Sequence, residues 1–256
     1  MGRYSIEGRV ALVTGGAKGI GQAIATLCAE EGASVVILDY DREALDVTVT
    51  TLKSAGHEVT GVAGDVSQPE DCKRAVEVAI QQYGKLNMVF PNAGIPLIAS
   101  IVDVEPNDVD RIIDINLKGV IYICKYAVPE LIKAGGGAIV TTGSEMAFAA
   151  DPANPVYDAT KAGVVMLTKS LALDLIKYNI RVNSVCPGVT NTPLLRQEVE
   201  TSPDPVQREL ENNAWAPIGR VADPVEMAHP AVFMASDLAS FMVGSAVLVD
   251  GGFTSR

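Results

Sequence analysis

The sequence predicts a single α/β domain built on a doubly wound parallel sheet of about seven strands, with helices on both faces. Short β-branched runs alternate with helix-period segments along most of the chain, the pattern of parallel strands joined by helical crossovers. A chain of 256 residues with 48% apolar content buries a substantial core and fits one large domain. No internal repeat or low-complexity tract marks a boundary within residues 1–256.

Val10 to Thr14 is the first strand. A glycine loop leads into a helix from about Gly19 to Glu31, whose Ile20, Ala23, Ile24, Leu27 and Cys28 make one apolar stripe, and Gly32 ends it. Ser34 to Asp39 is the second strand, Asp41 to Ala55 a helix, and Glu58 to Val66 the third strand. Ser67-Gln68-Pro69-Glu70 carries the start signal of a helix to Tyr83, and Leu86 to Phe90 is strand four. Pro106 to Ala134 is helical in composition, with Pro129 expected to kink it or begin a new turn, and Gly135-Gly136-Gly137 closes it. Ala138 to Thr142 is strand five, Tyr157 to Lys177 a long helix, Arg181 to Cys186 strand six, Asp223 to Ala235 a helix and Ser245 to Asp250 a last strand. The exception is residues 191–216, rich in Pro, Glu and Asn with weak periodicity, which reads as a mobile excursion above the sheet and a candidate substrate lid.

A formal net charge of −11, with no basic cluster longer than a pair, excludes a nucleic-acid partner. No run of eighteen apolar residues suggests a membrane span, and the N-terminus lacks a signal-peptide pattern, so a cytoplasmic protein is expected. Cys28, Cys72, Cys124 and Cys186 stand singly in apolar segments and read as buried thiols; with only two histidines, no metal site is expected.

The first strand ends in Thr14-Gly15-Gly16-Ala17-Lys18-Gly19-Ile20-Gly21, which puts small residues where a strand turns into a helix whose N-terminus can face a pyrophosphate. Asp39 closes the second strand, where a carboxylate accepts hydrogen bonds from the adenosine ribose and repels a 2′-phosphate. That favours NAD over NADP, although Lys18 and Arg42 are nearby cations that pull the other way, and Asp39 also suits a cap for the helix opening at Asp41.

With these residues and Asp65-Val66, Asn92-Ala93-Gly94, Asn116, Ser144, Tyr157-x-x-x-Lys161, Pro187-Gly188 and Val249-Asp250-Gly251-Gly252 in order, the chain resembles the short-chain dehydrogenase/reductase family over nearly its whole length. The resemblance implies a Rossmann fold and a dinucleotide site containing Gly15, Lys18, Gly19, Ile20, Gly21, Asp39, Asp65, Val66, Asn92, Gly94, Tyr157, Lys161, Val189, Thr190 and Thr192. In such proteins Asp65 and Val66 meet the adenine, Asn92 sits against the adenine-side ribose, and Thr190 and Thr192 meet the nicotinamide carboxamide. Two positions depart from the common pattern: Pro91 where relatives have Asn, and Gly143 where they have a second Ser.

Oxidising a secondary alcohol needs a group to take the hydroxyl proton while hydride leaves for the nicotinamide. Tyr157 is placed for this role, and Lys161, four residues on along one helix face, favours its phenolate. Ser144, ending strand five, can polarise the substrate oxygen. Asn116 resembles the family residue that holds a water linking Lys161 to solvent. Beside Ser144 and Tyr157, Glu145 and Asn154 suggest contacts to extra hydroxyls of a polyol, sugar or hydroxy acid, while Leu194, Leu195 and Trp215 suit an apolar or cyclic body.

The alternatives are a 3-oxoacyl thioester reductase and, from another class, a non-catalytic NAD-binding regulatory protein. The resemblance further implies a homotetramer formed through the two long helices and the C-terminal segment.

Overall fold

A computed structural model of the protein describes residues 3–255. Among them, seven parallel strands form one sheet in the order β3-β2-β1-β4-β5-β6-β7. These are β1 (Val10–Thr14), β2 (Ser34–Asp39), β3 (Val59–Ala63), β4 (Met88–Phe90), β5 (Gly137–Thr142), β6 (Ile180–Pro187) and β7 (Ala246–Val249). Chain order reverses between β1 and β4, which opens a crevice beyond the carboxyl ends of those strands.

Side chains of a strand alternate between faces, and here both faces are covered. Ala11, Val13, Val35, Ile37, Met88 and Phe90 pack on one side, against α1 (Gly19–Glu30) and α9 (Pro224–Ala235). Val10, Leu12, Val36, Leu38 and Val89 pack on the other, against α3 (Pro69–Tyr83), α5 (Gly119–Lys133) and α6 (Pro155–Leu175). Every residue of β1 is buried, which is why its sequence is apolar without alternation. The helix α2 (Arg42–Ser54) covers the outer edge and is capped by Asp41, whose carboxylate accepts from Ala44 N. The capping role is thus Asp41's, and Asp39 remains in the strand.

Two expectations change. The stretch from Pro106 is interrupted by a π-turn: α4 (Pro106–Ile113) gives way to a wide turn over Asp114–Lys118, closed by Gly119 N to Asp114 O, and α5 then continues through Pro129 without a new start. A π-turn inserts a residue into the helical ladder and rotates its side chain out of register. Here the turn contains the buried Asn116. Residues 191–216 are not irregular; they form α7 (Pro193–Glu200) and α8 (Pro205–Trp215), each with Pro in its first turn, capped by Thr192 and Asp204 respectively. Between them they bury only Asn212, so neither carries an apolar stripe for the core.

The four cysteines are buried and free; burial pushes Cys72 and Cys124 up to about 12, so they stay protonated thiols. No helix among the described residues is long and apolar enough to cross a membrane.

Candidate active site

A cleft of ≈ 1230 Å³ runs along the carboxyl ends of the strands, from Asp39 and Asp65 past the glycine loop to Ser144, Tyr157 and the helices α7 and α8. Its volume exceeds the roughly 300–1,000 Å³ of ordinary small-ligand pockets and suits a dinucleotide with a second molecule beside it. Gly15 lies at φ +63, and a Cβ there would stand 2.8 Å from Ala93 Cα. A Cβ on Gly21 would stand 2.1 Å from Gly15 O. Side chains at either point would force the loop away from β4, so glycine is what allows α1 to begin against the strand ends. Lys18, at the N-cap, makes no side-chain cap bond, which leaves the first-turn N–H groups of α1 facing the cleft beside Gly19 and Ile20. This cradle, wide and lined by backbone donors, fits the diphosphate of a dinucleotide.

At the far end Asp39 is buried, with Oδ2 accepting from Ala17 N at 2.9 Å and Oδ1 from Asp41 N at 3.0 Å. The two bonds fix the carboxylate at the cleft wall. Lys18 is not free: its Nζ pairs with Asp41 Oδ2 at 2.6 Å. Asp65 Oδ1 accepts from Ser67 N at 2.8 Å, and Val66 packs against Gly119. Asn92 lines the same cleft, and its side-chain amide is bonded to the protein. Nδ2 donates to Thr14 O and Gly15 O, and Oδ1 accepts from Thr142 Oγ1, tying the ends of β1, β4 and β5 together.

The two unusual positions are accommodated locally. Pro91 lies beyond the last residue of β4, where its missing N–H is not needed, and its carbonyl accepts from Thr142 N at 3.0 Å. A Cβ on Gly143 would meet Cys186 Sγ at 2.8 Å, so Cys186 fills the space a second serine would take.

Near the middle of the cleft, Ser144, Tyr157 and Lys161 converge. Ser144 is buried, and its Oγ accepts from Met146 N at 3.1 Å, which fixes the hydroxyl over the end of β5. Tyr157 is half-buried on the first turns of α6; burial raises its pKa, while a hydrogen bond with the Ser144 hydroxyl acts in the opposite direction. Lys161 is buried, donates to Thr142 O at 3.1 Å, and has its Nζ 5.8 Å from the Tyr157 ring centre. Burial lowers its pKa to about 8, so it remains mostly protonated near neutral pH. Asn116 Oδ1 accepts from Ile95 N at 2.8 Å, and Nδ2 donates to Ile95 O and Thr160 Oγ1. Asn116 Oδ1 and Lys161 Nζ flank Gly94, at 3.3 and 3.5 Å from where its Cβ would be.

Beyond this cluster, Val189, Thr190 and Thr192 follow β6; Val189 O accepts from Ala222 N, and Thr190 Oγ1 donates to Gly188 O at 2.9 Å. Glu145 is buried next to Ser144 and accepts from Trp215 Nε1 at 2.8 Å, while Asn154 Nδ2 donates to Asp151 Oδ2 at 2.7 Å. The anticipated residues therefore line one cleft, except Gly21 and Asn116, which lie behind its lining. Helix α8 adds Arg208 and Asn212, which a sequence segment without evident helical period could not assign to a face.

A family model described as enoyl-(acyl carrier protein) reductase matches residues 15–254. This chain is a short-chain dehydrogenase/reductase. It is 39% identical to a cyclohexanol dehydrogenase from Acinetobacter sp. (strain SE19) over 251 residues, 97% of this chain and 96% of that protein. A 3-oxoacyl-[acyl-carrier-protein] reductase from Thermotoga maritima is 36% identical over 247 residues, 96% of this chain and 98% of that one. The fold superposes with a TM-score of 0.94 on L-sorbose reductase from Gluconobacter frateurii, solved with NADPH and L-sorbose, at 33% identity and 99% coverage of both chains. The chain is thus an oxidoreductase of this family acting on alcohols or ketones with a nicotinamide cofactor.

Proposed function

We propose that this chain is an NAD-preferring dehydrogenase of secondary alcohols in which Tyr157 is the acid/base, Ser144 holds the substrate oxygen, and Lys161 and Asn116 support the tyrosine. The observation that carries the cofactor choice is Asp39, a buried carboxylate fixed by two backbone donors at the end of β2, where it accepts from ribose hydroxyls and repels a 2′-phosphate. Pairing of Lys18 with Asp41 supports the same choice by engaging a cation that would otherwise meet that phosphate. The NADPH in the sorbose reductase complex belongs to that protein and leaves the preference to this chain's own residues.

A bound nicotinamide supplies the hydride acceptor. The protein's part is the proton. Ser144 Oγ donates to the substrate oxygen and sets it beside the Tyr157 phenol; the phenolate takes the hydroxyl proton as the carbon–hydrogen bond breaks, and in reduction the phenol returns it. Burial alone makes the phenolate harder to form, so the Ser144 hydroxyl and the Lys161 ammonium must offset that cost. Asn116, held in the π-turn between Ile95 and Thr160, has its Oδ1 on the same side of Gly94 as the Lys161 Nζ, a place suited to a water that returns protons to the lysine.

For the substrate, the buried Glu145 together with Leu194, Leu195 and Trp215 supports a ring or chain carrying more than one oxygen: a polyol, sugar, hydroxy acid or cyclic alcohol. The 3-oxoacyl thioester reaction is the second reading, on the likeness to the Thermotoga maritima reductase, and Asp39 weighs against it because such enzymes usually prefer NADPH. Apolar residues left exposed on α5 and α6 (Ile121, Met166, Leu173) and near the C-terminus (Phe241, Leu248) support a homotetramer.

The test is NADH formation from NAD, with NADP in parallel, across polyols, sugars, hydroxy acids and cyclic alcohols. On the best substrate, Tyr157→Phe is expected to lower kcat by at least ~10²-fold while NADH affinity stays within about twofold. Retained turnover refutes the assignment; tight NADH binding without turnover by the unaltered protein on any alcohol supports a non-catalytic role instead.

A further inference from the structure

In the substrate half of the cleft, the polar groups anticipated from sequence already have protein partners: Glu145 receives Trp215 Nε1 at 2.8 Å and Asn154 donates to Asp151 at 2.7 Å. One further side chain differs. Asn212 on α8 lines the same cleft and is only 8% exposed, yet its Nδ2 has no hydrogen-bond partner among the described residues. Buried amide donors almost always find an acceptor, and this one, enclosed behind the cleft lining, gains one when the amide turns to a ligand oxygen in the cleft.

The position of α8 decides which ligand that is. Trp215 lies three residues after Asn212, on the same side of the helix, and its indole bonds Glu145, the neighbour of Ser144 in sequence. The indole also stacks on Phe253, with ring centres 5.0 Å apart and planes at 8°. On the helix's other side, Asn213 Oδ1 accepts from Val221 N at 3.2 Å. These contacts hold α8 over the Ser144 end of the cleft, away from Asp39 and the adenosine end. Asn212 therefore stands at the reacting end of the cleft and not at the adenosine end.

We propose that Asn212 is a substrate-specificity residue whose Nδ2 donates to a hydroxyl oxygen remote from the reacting carbon, so that the site selects neutral, polyhydroxylated secondary alcohols. A substrate carboxylate would also accept this bond, but the cation on the same helix, Arg208, is already paired with Glu198 and Glu211, and the remaining carboxylates Glu145 and Asp151 line the same cleft and disfavour an anion. The inference rests on the alcohol-dehydrogenase reading above and narrows it.

A matched pair of probes isolates the remote hydroxyl: cyclohexanol, and the 1,2-, 1,3- and 1,4-cyclohexanediols, assayed with NAD and with NADP. The quantity read is the ratio of kcat/KM for the best diol to that for cyclohexanol. In Asn212→Leu, which keeps the volume and removes the donor, this ratio is expected to fall about tenfold, the size of one neutral hydrogen bond to a substrate hydroxyl. Each preparation supplies its own ratio, so a merely structural loss, which lowers both rates together, leaves it unmoved. Should the leucine variant not fold, Asn212→Ala serves, with NADH affinity as the check on folding. A ratio unchanged within about twofold overturns the role of Asn212 and leaves the dehydrogenase standing. An unaltered protein that oxidises none of the four alcohols overturns the polyhydroxylated-alcohol assignment, and one that also oxidises no sugar, acyclic polyol or hydroxy acid with either cofactor overturns the dehydrogenase reading with it.

Discussion

Replacing Asp39 by alanine tests the cofactor argument at its root. The carboxylate accepts from Ala17 N and Asp41 N and stands in the cleft wall at the end of β2. With NAD, the loss is a charge-assisted hydrogen bond to the ribose, worth about 1.5–3 kcal/mol. With NADP, the gain is relief of repulsion between the carboxylate and a 2′-phosphate. Unit charges about 4 Å apart interact by ~1 kcal/mol in water and ~4 kcal/mol at an effective dielectric of 20, and the solvated mouth of the cleft favours the lower figure. Together the two effects amount to ~2.5–4 kcal/mol, and with ~1.4 kcal/mol per decade the NAD/NADP ratio of kcat/KM should fall about 10²- to 10³-fold. Two backbone donors also lose their acceptor in this variant, so a lower melting temperature is expected. That does not disturb the result, because both cofactors are compared on the same protein. A ratio that moves by less than about threefold refutes the reasoning and places cofactor choice elsewhere.

Lys161 carries a pH signature. Its pKa falls from the usual 10.5 to about 8 on burial, so between these values the folded state holds fewer protons than the unfolded chain. Burying the ammonium is a destabilising contribution, fully present below about pH 8 and relieved as pH rises toward 10.5. Relative to Lys161→Met, urea unfolding should show the unaltered protein gaining roughly 2 kcal/mol between about pH 7.5 and 9.5; a constant difference contradicts the burial argument. Gly21→Ala places a methyl 2.1 Å from Gly15 O, so the loop must move, and NADH affinity measured by fluorescence should fall at least about tenfold. Light scattering is expected to give four times the chain mass, and a monomer would remove the role assigned to the exposed residues of α5 and α6.

Most of the sheet was legible because buried parallel strands leave runs such as Val-Ala-Leu-Val-Thr that have few other uses. Boundaries shifted by one to a few residues where strand and turn share composition: β3 is Val59–Ala63, shorter than the apolar run around it. The π-turn in the Pro106 to Ala134 stretch is not legible in the sequence, for a physical reason. Proline announces its missing donor, whereas a π-turn is ordinary helical sequence, and what holds it here is distant: Asn116 bonded to the Ile95 backbone and to Thr160 on α6.

The same distinction separates the two halves of the site. The cofactor half is specified by backbone geometry, through glycines whose added methyls would strike Ala93 or Gly15, and by a carboxylate at a strand end; these constraints are local and can be seen residue by residue. The substrate half is built by α7 and α8, which bury only Asn212 and therefore lack the apolar stripe that reveals a helix. Their place is set by contacts across long sequence separations, Trp215 with Glu145 and with Phe253, and by the pairing of Arg208 with Glu198 between the two helices. Helices fastened by a few polar contacts can change the residues they present to the cleft without disturbing the core. On the proposal above, the same scaffold accepts a new alcohol by substitution at positions such as Asn212, while Ser144, just beyond β5, and Tyr157 and Lys161 on α6 keep their places.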